Sequence, residues 1–328
     1  MRENNKEIAV GIVGCGTLVS QVYSKVLPQI HGISIKYVSD LNWDLAQQVA
    51  KTVGAVAVDF DRLIGDADIT VIATPPHTHH QLAKEAISVG KTVICEKPFV
   101  TTHDEAQDLV ALAEARGANL YVAHMRRLYP SVQLARKVAA ENRFGDLKKI
   151  FIHEGGRFKY FAQSNYVMKE KTGGVVYDTG SHTLDMALYI GLLCDDEITI
   201  NMKDINRDRV EPSHHISGKF NIEKGTDNID CEFCISRVVS LSNKITFMYE
   251  NGRMDVPTAL SDRLRISSAG GSEIAIAERN LSPMQVYYDQ FKAIFSKSND
   301  QVFAARRFLN LTNLVEAIAT SEVEAVNE

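Results

Sequence analysis

The chain has 328 residues, too many for one ordinary core and suited to two domains. Its composition, 45% hydrophobic and 23% charged, excludes a disordered or fibrous protein, and no run of about 18 uncharged apolar residues marks a membrane span. A net charge of −5 offers no basic field to a nucleic acid, and the polar start MRENNKEIAV lacks an apolar signal core. Five cysteines, few and odd in number, suit reduced thiols, so a soluble cytoplasmic protein is expected.

From the amino terminus, short β-branched runs begin at Ile8, Ile33, Ile69, Lys91 and Ala118, separated by segments with helical spacing. That alternation predicts βαβ units and a parallel sheet covered on both faces. The first run leads into VGCGTLVS, which places Gly14 and Gly16, followed by Thr17 and Leu18, between a strand and a helix. The first glycine permits a tight turn, the second lets backbone N–H groups approach a pyrophosphate, and the helix N-terminus adds partial positive charge. The third position of the fingerprint is Val19 instead of Gly. At the end of the second run, Asp40 stands where a carboxylate meets the adenosine ribose, and no cation follows it to hold a 2′-phosphate. NAD is therefore expected over NADP. The alternative role for Asp40 is the N-cap of the next helix.

The third run ends in ATPPHTHH, a rigid turn at a strand's carboxyl end, where open α/β sheets bind ligands. Thr74, Pro75 and His79, with Glu96 and Lys97 at the next strand end, are read as cofactor-side residues. His77 and His79 also form an HxH pair of the kind that binds zinc, and a solvated helix start would use such residues too; no metal is expected. The fourth run ends in VICEKPFV. Lys97 at that strand end can hydrogen-bond a substrate hydroxyl and stabilise a developing alkoxide, with Glu96 tuning it and Pro98 holding its backbone extended. After Thr102, a capping box with Glu105 and a stop at Gly117 frame a helix.

Beyond about residue 145 the pattern changes to strands in series, among them EITINMKDI, SGKFNI, NIDCEFCISRVV and KITFMYE, which predict a mainly antiparallel sheet. The pair Cys231 and Cys234 falls on opposite faces of one such strand and reads as structural. Two helices, from about Pro283 to Phe295 and from Val302 to Ala319, close the chain. The expected domains are residues 1–125 and 126–328. In GGVVYDTGSHTLDMAL, Asp178 and His182 are four apart at a helix start, a spacing that lets a carboxylate orient a histidine acting as general base; a capped core helix would look similar. Between the motifs, Arg157, Lys159, Tyr160, Asn165 and Tyr166 suit a polyhydroxylated ring, and the cations suit a carboxylate or phosphate; a solvated loop would look similar.

The ordered motifs GCG, ATPPHTH, GKTVICEKPFV, AHMRRLYP and GGVVYDTGSH together resemble the glucose-fructose oxidoreductase / inositol dehydrogenase (Gfo/Idh/MocA) family over residues 8 to 192. The resemblance implies a Rossmann NAD-binding domain followed by an α+β domain with an open, mainly antiparallel sheet that commonly joins subunits, here a homodimer or homotetramer. It implies Lys97 and His182 as the catalytic pair, Asp178 assisting the proton path and contacting substrate, Arg127 on the substrate side, and a cis peptide before Pro98. The expected activity is hydride transfer between nicotinamide and a secondary hydroxyl or ketone of a sugar, cyclitol or sugar derivative. Two alternatives stay open: a glycosidase using transient redox on held NAD, and a dinucleotide-sensing protein that has lost catalysis.

Overall fold

The computed structural model describes residues 7–157, 174–208, 213–297 and 300–321. Lys159, Tyr160, Asn165 and Tyr166 lie outside them. The chain divides into two compact units. The first comprises the described residues up to His124 and returns with Met284–Arg307; the second comprises those of Met125–Pro283 and from Phe308 on. A single cut at residue 125 therefore omits a segment near the carboxyl end that belongs to the first unit.

In the first unit, β1 (Ile8–Val13), β2 (Ile33–Ser39), β3 (Val56–Ala57), β4 (Ile69–Ile72), β5 (Thr92–Glu96) and β6 (Leu120–Ala123) form one sheet in the order β3-β2-β1-β4-β5-β6. Every neighbouring pair is parallel. The order reverses between β1 and β4, and at such a switch point the carboxyl ends of open α/β sheets receive ligands. The apolar runs are continuous because both sheet faces are covered: Val10, Ile12, Val71, Ile72, Val93 and Ile94 are all buried. Burying each such side chain contributes about 1.5–3 kcal/mol. The helix His103–Arg116 starts in the expected capping box of Thr102 and Glu105 and ends at Gly117, whose φ is 62°.

The returning helix Pro283–Ser296 brings Tyr287 and Phe291 edge-on to Tyr23, with ring centroids 6.1 and 4.8 Å away. The Tyr121 hydroxyl donates to Asp300 at 2.8 Å, and Tyr121 bridges Ala304. These contacts explain why a distant segment joins this core.

The second unit is built on an eight-stranded sheet. Its strands are β7 (Leu147–Gly155), β8 (Thr199–Arg207), β9 (His215–Lys224), β10 (Asp227–Ser236), β11 (Lys244–Tyr249), β12 (Gly252–Pro257), β13 (Arg263–Ser268) and β14 (Gly271–Ile276). They lie in the order β14-β13-β12-β11-β7-β10-β9-β8, antiparallel except for the pair β7 and β10. Helices Pro130–Ala140, Ser181–Ile190 and Leu309–Thr320 pack together on this unit, and the middle one is buried at nine of its ten residues, all but His182. Cys231 is buried and Cys234 half-buried on β10, as alternation on a strand requires.

Candidate active site

In the first unit the glycine turn is tied to the end of β2. Gly14 N–H donates to the Ser39 carbonyl at 2.8 Å, and Cys15 N–H donates to Asp40 Oδ2 at 2.6 Å. Asp40 Oδ1 accepts from Asn42 N–H at 2.7 Å. Asn42 itself, through Asp44 and Leu45, caps the helix Trp43–Val53, so capping is not the work of Asp40. The carboxylate instead fixes the turn, each oxygen accepting one backbone N–H and having a further lone pair.

Gly14 has φ +93°, and a Cβ there would stand 2.6 Å from the Ala73 carbonyl oxygen, so the turn admits only glycine. A Cβ on Gly16 would meet nothing within 4 Å. That open space beside a backbone turn fits the pyrophosphate of a dinucleotide, with Thr17 and Leu18, both half-buried, entering the following helix. The helix opens as a π-turn, Val19–Tyr23, and Val19 is fully buried where the fingerprint has glycine.

Beyond β4, Thr74 and Pro75 are half-buried, and the Thr74 and Thr78 hydroxyls share a 2.7 Å hydrogen bond. His77 is exposed, whereas His79 is fully buried. The Nε2 of His79 lies 2.8 Å from the Thr74 carbonyl, and Nδ1 lies 3.0 and 3.1 Å from those of Pro98 and Phe99. Burial holds its pKa below the ordinary value against those carbonyls. His79 is thus a clasp between the β4 and β5 turns and not a cofactor contact, because no edge of its ring reaches solvent. It forms no metal pair with His77.

The Lys97–Pro98 peptide is cis. Lys97 is half-buried at the end of β5. Glu96 is buried, accepting a hydrogen bond from the Tyr23 hydroxyl on Oε1 and from Lys97 N–H at 3.0 Å on Oε2. Burial pushes its pKa up to about 7, against the Lys97 charge and the backbone N–H. Read from sequence as a cofactor-side residue, Glu96 lies underneath the turn and supports Lys97 from behind. Tyr23, fully buried, went unnoticed in the sequence; a tyrosine in an apolar helix needs a partner for its hydroxyl, and that was the available signal.

In the second unit Asp178 lies in a π-turn, Val176–Gly180, that runs into the helix Ser181–Ile190 carrying half-buried His182. Asp178 Oδ2 accepts from Arg237 Nη2 at 2.8 Å, and the same nitrogen donates to the Gly174 carbonyl at 3.1 Å. Arg237 is 4% exposed. Glu154, at the end of β7, accepts from Arg126 at 3.0 and 2.8 Å and from the Thr183 hydroxyl. Neither Arg237 nor Glu154 stood out in the sequence, where a charged residue ending an apolar strand is usually solvated. Arg157 is exposed beside them.

Arg127 corrects the sequence reading. It is fully buried, bonded to Asp185 through Nε at 3.1 and 3.0 Å and Nη2 at 2.6 Å, and lies 3.7 Å above the Phe308 ring. A guanidinium so enclosed holds the unit together and reaches no substrate. Asp185, in the motif helix, is its counterion.

The two units define a class: a Rossmann dinucleotide-binding domain joined to an α+β domain with an open mixed sheet. A family model described as the oxidoreductase family with an NAD-binding Rossmann fold matches residues 8–124, and the C-terminal domain of the same family matches residues 132–226. The chain belongs to the GFO/IDH/MocA family. It is 32% identical over 161 residues to inositol 2-dehydrogenase 1 of Saccharopolyspora erythraea, covering 47% of this chain and 48% of that one. It is 26% identical over 186 residues to glucose-6-phosphate 3-dehydrogenase of Bacillus subtilis, covering 55% and 53%. The matches thus span about half the length of these relatives. Among solved structures, an oxidoreductase of Agrobacterium radiobacter in complex with NAD+, L-tartaric acid and magnesium superposes with a TM-score of 0.77 at 20% identity over 95% of both chains. An aldose-aldose oxidoreductase of Caulobacter crescentus gives 0.78 at 17% identity, covering 95% of this chain and 96% of that one. Likeness at that identity is a likeness of fold.

Among the described residues no helix is long and apolar enough to cross a membrane, and no group of three or more His, Cys, Asp and Glu side chains could hold a metal.

Proposed function

We propose that this protein is an NAD-dependent oxidoreductase acting on a secondary hydroxyl or ketone of a sugar, cyclitol or sugar derivative. The observation that carries the reading is the Lys97 turn, clasped by His79 and backed by Glu96 and Tyr23 in the unit that also holds the open glycine turn. A lysine on a solvated strand end needs no such scaffold. When bound, the nicotinamide takes up or supplies the hydride at the carbinol carbon.

In the oxidative direction, His182 accepts the hydroxyl proton as the carbinol becomes a ketone, and the Lys97 ammonium stabilises the oxygen while it carries negative charge. Asp178, paired with Arg237, contacts the substrate and favours the charged form of His182. Relatives named as inositol and glucose-6-phosphate dehydrogenases support the substrate class. Half-exposed Ile274 and Ile276 on edge strand β14 support the open sheet as the surface of a homodimer or homotetramer, which light scattering would weigh.

The test is a screen of sugars, inositols and sugar acids for NADH formation at 340 nm, followed by Lys97→Ala and His182→Ala. Each substitution should lower the rate at least about 100-fold while NAD still binds, the scale of a lost acid-base group. Near-native turnover by both variants refutes the mechanism.

A further inference from the structure

The second unit contains a cavity of 470 Å³ at the ends of β7 and β10, lined by Glu154, Arg157, Thr179, Ser236, Arg237 and Asn243 among others. Its chemistry becomes visible when donors and acceptors are counted separately. The Glu154 carboxylate, the Asn243 amide oxygen and the Ser236 oxygens each already accept hydrogen bonds from the protein. Both Glu154 oxygens receive Arg126, and one also receives Thr183. Asn243 Oδ1 accepts from Gly155 N–H at 2.7 Å, which leaves the –NH2 end of that amide as its other hydrogen-bonding group. Ser236 Oγ accepts from Val238 and Val239 N–H at 3.1 and 2.9 Å, so both lone pairs are used and the hydroxyl proton is what it has left to give. The Ser236 carbonyl accepts from Gly156 N–H at 3.2 Å.

Among the described residues, the lining offers as donors the Ser236 hydroxyl, the Asn243 amide and the guanidinium of Arg157, beside the Thr179 and Thr258 hydroxyls, which can donate or accept. Charge points the same way. Arg126 is paired with Glu154 and Arg237 with Asp178, so among the described residues Arg157 is the cation of this group left over after the two ion pairs. A neutral polyol accepts ordinary hydrogen bonds from such donors and brings hydroxyl protons of its own to satisfy; an anion with acceptor oxygens alone makes a stronger, charge-assisted bond at each contact.

We propose that this cavity binds an anionic group of the substrate, a carboxylate or a phosphate, so that the substrate is a sugar acid or sugar phosphate in preference to a neutral polyol. The inference rests on the oxidoreductase reading above and narrows it. Arg157 supplies the fork, Ser236 and Asn243 supply neutral donors, and the Arg237–Asp178 pair joins the cavity wall to the carboxylate assigned to the reacting end. Arg157, Ser236 and Asn243 determine specificity here.

The test is calorimetric titration of the full chain at low salt with matched pairs: D-galacturonate against D-galactose, and glucose 6-phosphate against glucose. At least one anionic member should bind 10-fold or more tighter than its neutral partner, and added NaCl should erode the difference. The acid and phosphate arms decide which anion the cavity takes. Arg157→Gln should weaken the anionic ligand at least 10-fold and Arg157→Lys should restore part of the loss, because the ammonium keeps the charge and loses the fork. Equal affinity within both pairs, absence of binding by both anions, or an Arg157→Gln variant that binds the anion like the wild type overturns the proposal. Selective anion binding without NADH formation on any compound leaves the site standing and defeats the hydride-transfer reading. Turnover of neutral sugars as efficient as that of their acids does the reverse.

Discussion

Glu96→Gln isolates the buried carboxyl behind Lys97. The wild-type group titrates near 7 in the folded protein against an ordinary 4.5, because burial penalises the charged form more than the Lys97 charge and backbone N–H favour it. Between those two pH values the folded state keeps a proton that the unfolded chain has released, so unfolding free energy falls as pH rises. Below about pH 4.5 both states are protonated and the penalty is absent; above about pH 7 both are ionised and it is complete. That gap corresponds to about 3 kcal/mol. Glutamine cannot ionise, so the difference in stability between Glu96→Gln and the wild type should shift by about 3 kcal/mol in favour of the variant between pH 4.5 and 8. Urea denaturation at half-unit pH intervals, followed by tyrosine fluorescence and circular dichroism, measures it. Two curves that stay parallel across the window would refute the reasoning, and a difference running the other way would show that the folded state favours the carboxylate.

Asp185→Asn should cost about 3–5 kcal/mol by leaving the Arg127 guanidinium buried without its counterion. Replacing both by apolar residues should cost less than either single change, and a raised KM at unchanged melting temperature for Arg127→Met would return that residue to the substrate. Gly14→Ala should lower stability by about 2 kcal/mol or more, since it combines a positive φ with a clash against the Ala73 carbonyl. Gly16→Val should leave melting unchanged and weaken NAD at least about 10-fold in a fluorescence titration, by filling the space beside the turn.

The first sheet was legible because a strand buried on both faces must be apolar throughout, and five such runs stand out between helices. Strand β3 escaped because two residues carry no period. In the second unit, β7 hides behind Lys148 and Lys149, and β14 has a polar start that resembles a loop. The site residues divide in the same physical way. Gly14, Gly16, Asp40 and Lys97 are constrained by local backbone geometry, which a short motif encodes. His79 and Arg127 were misassigned because a polar residue inside a motif looks functional until its burial is known. The partners that bury them, Pro98 and Phe99 for one and Asp185 for the other, lie 19 to 58 residues away.

The returning helix has a consequence for the order in which the protein is made. Tyr23 leaves the ribosome early, yet Phe291, which covers it, is synthesised 268 residues later. At about 5–20 residues per second the nascent nucleotide-binding core waits roughly 13 to 54 seconds with an aromatic face uncovered. The first domain to emerge is therefore completed only once Arg307 has been made, after nearly all of the second has left the ribosome.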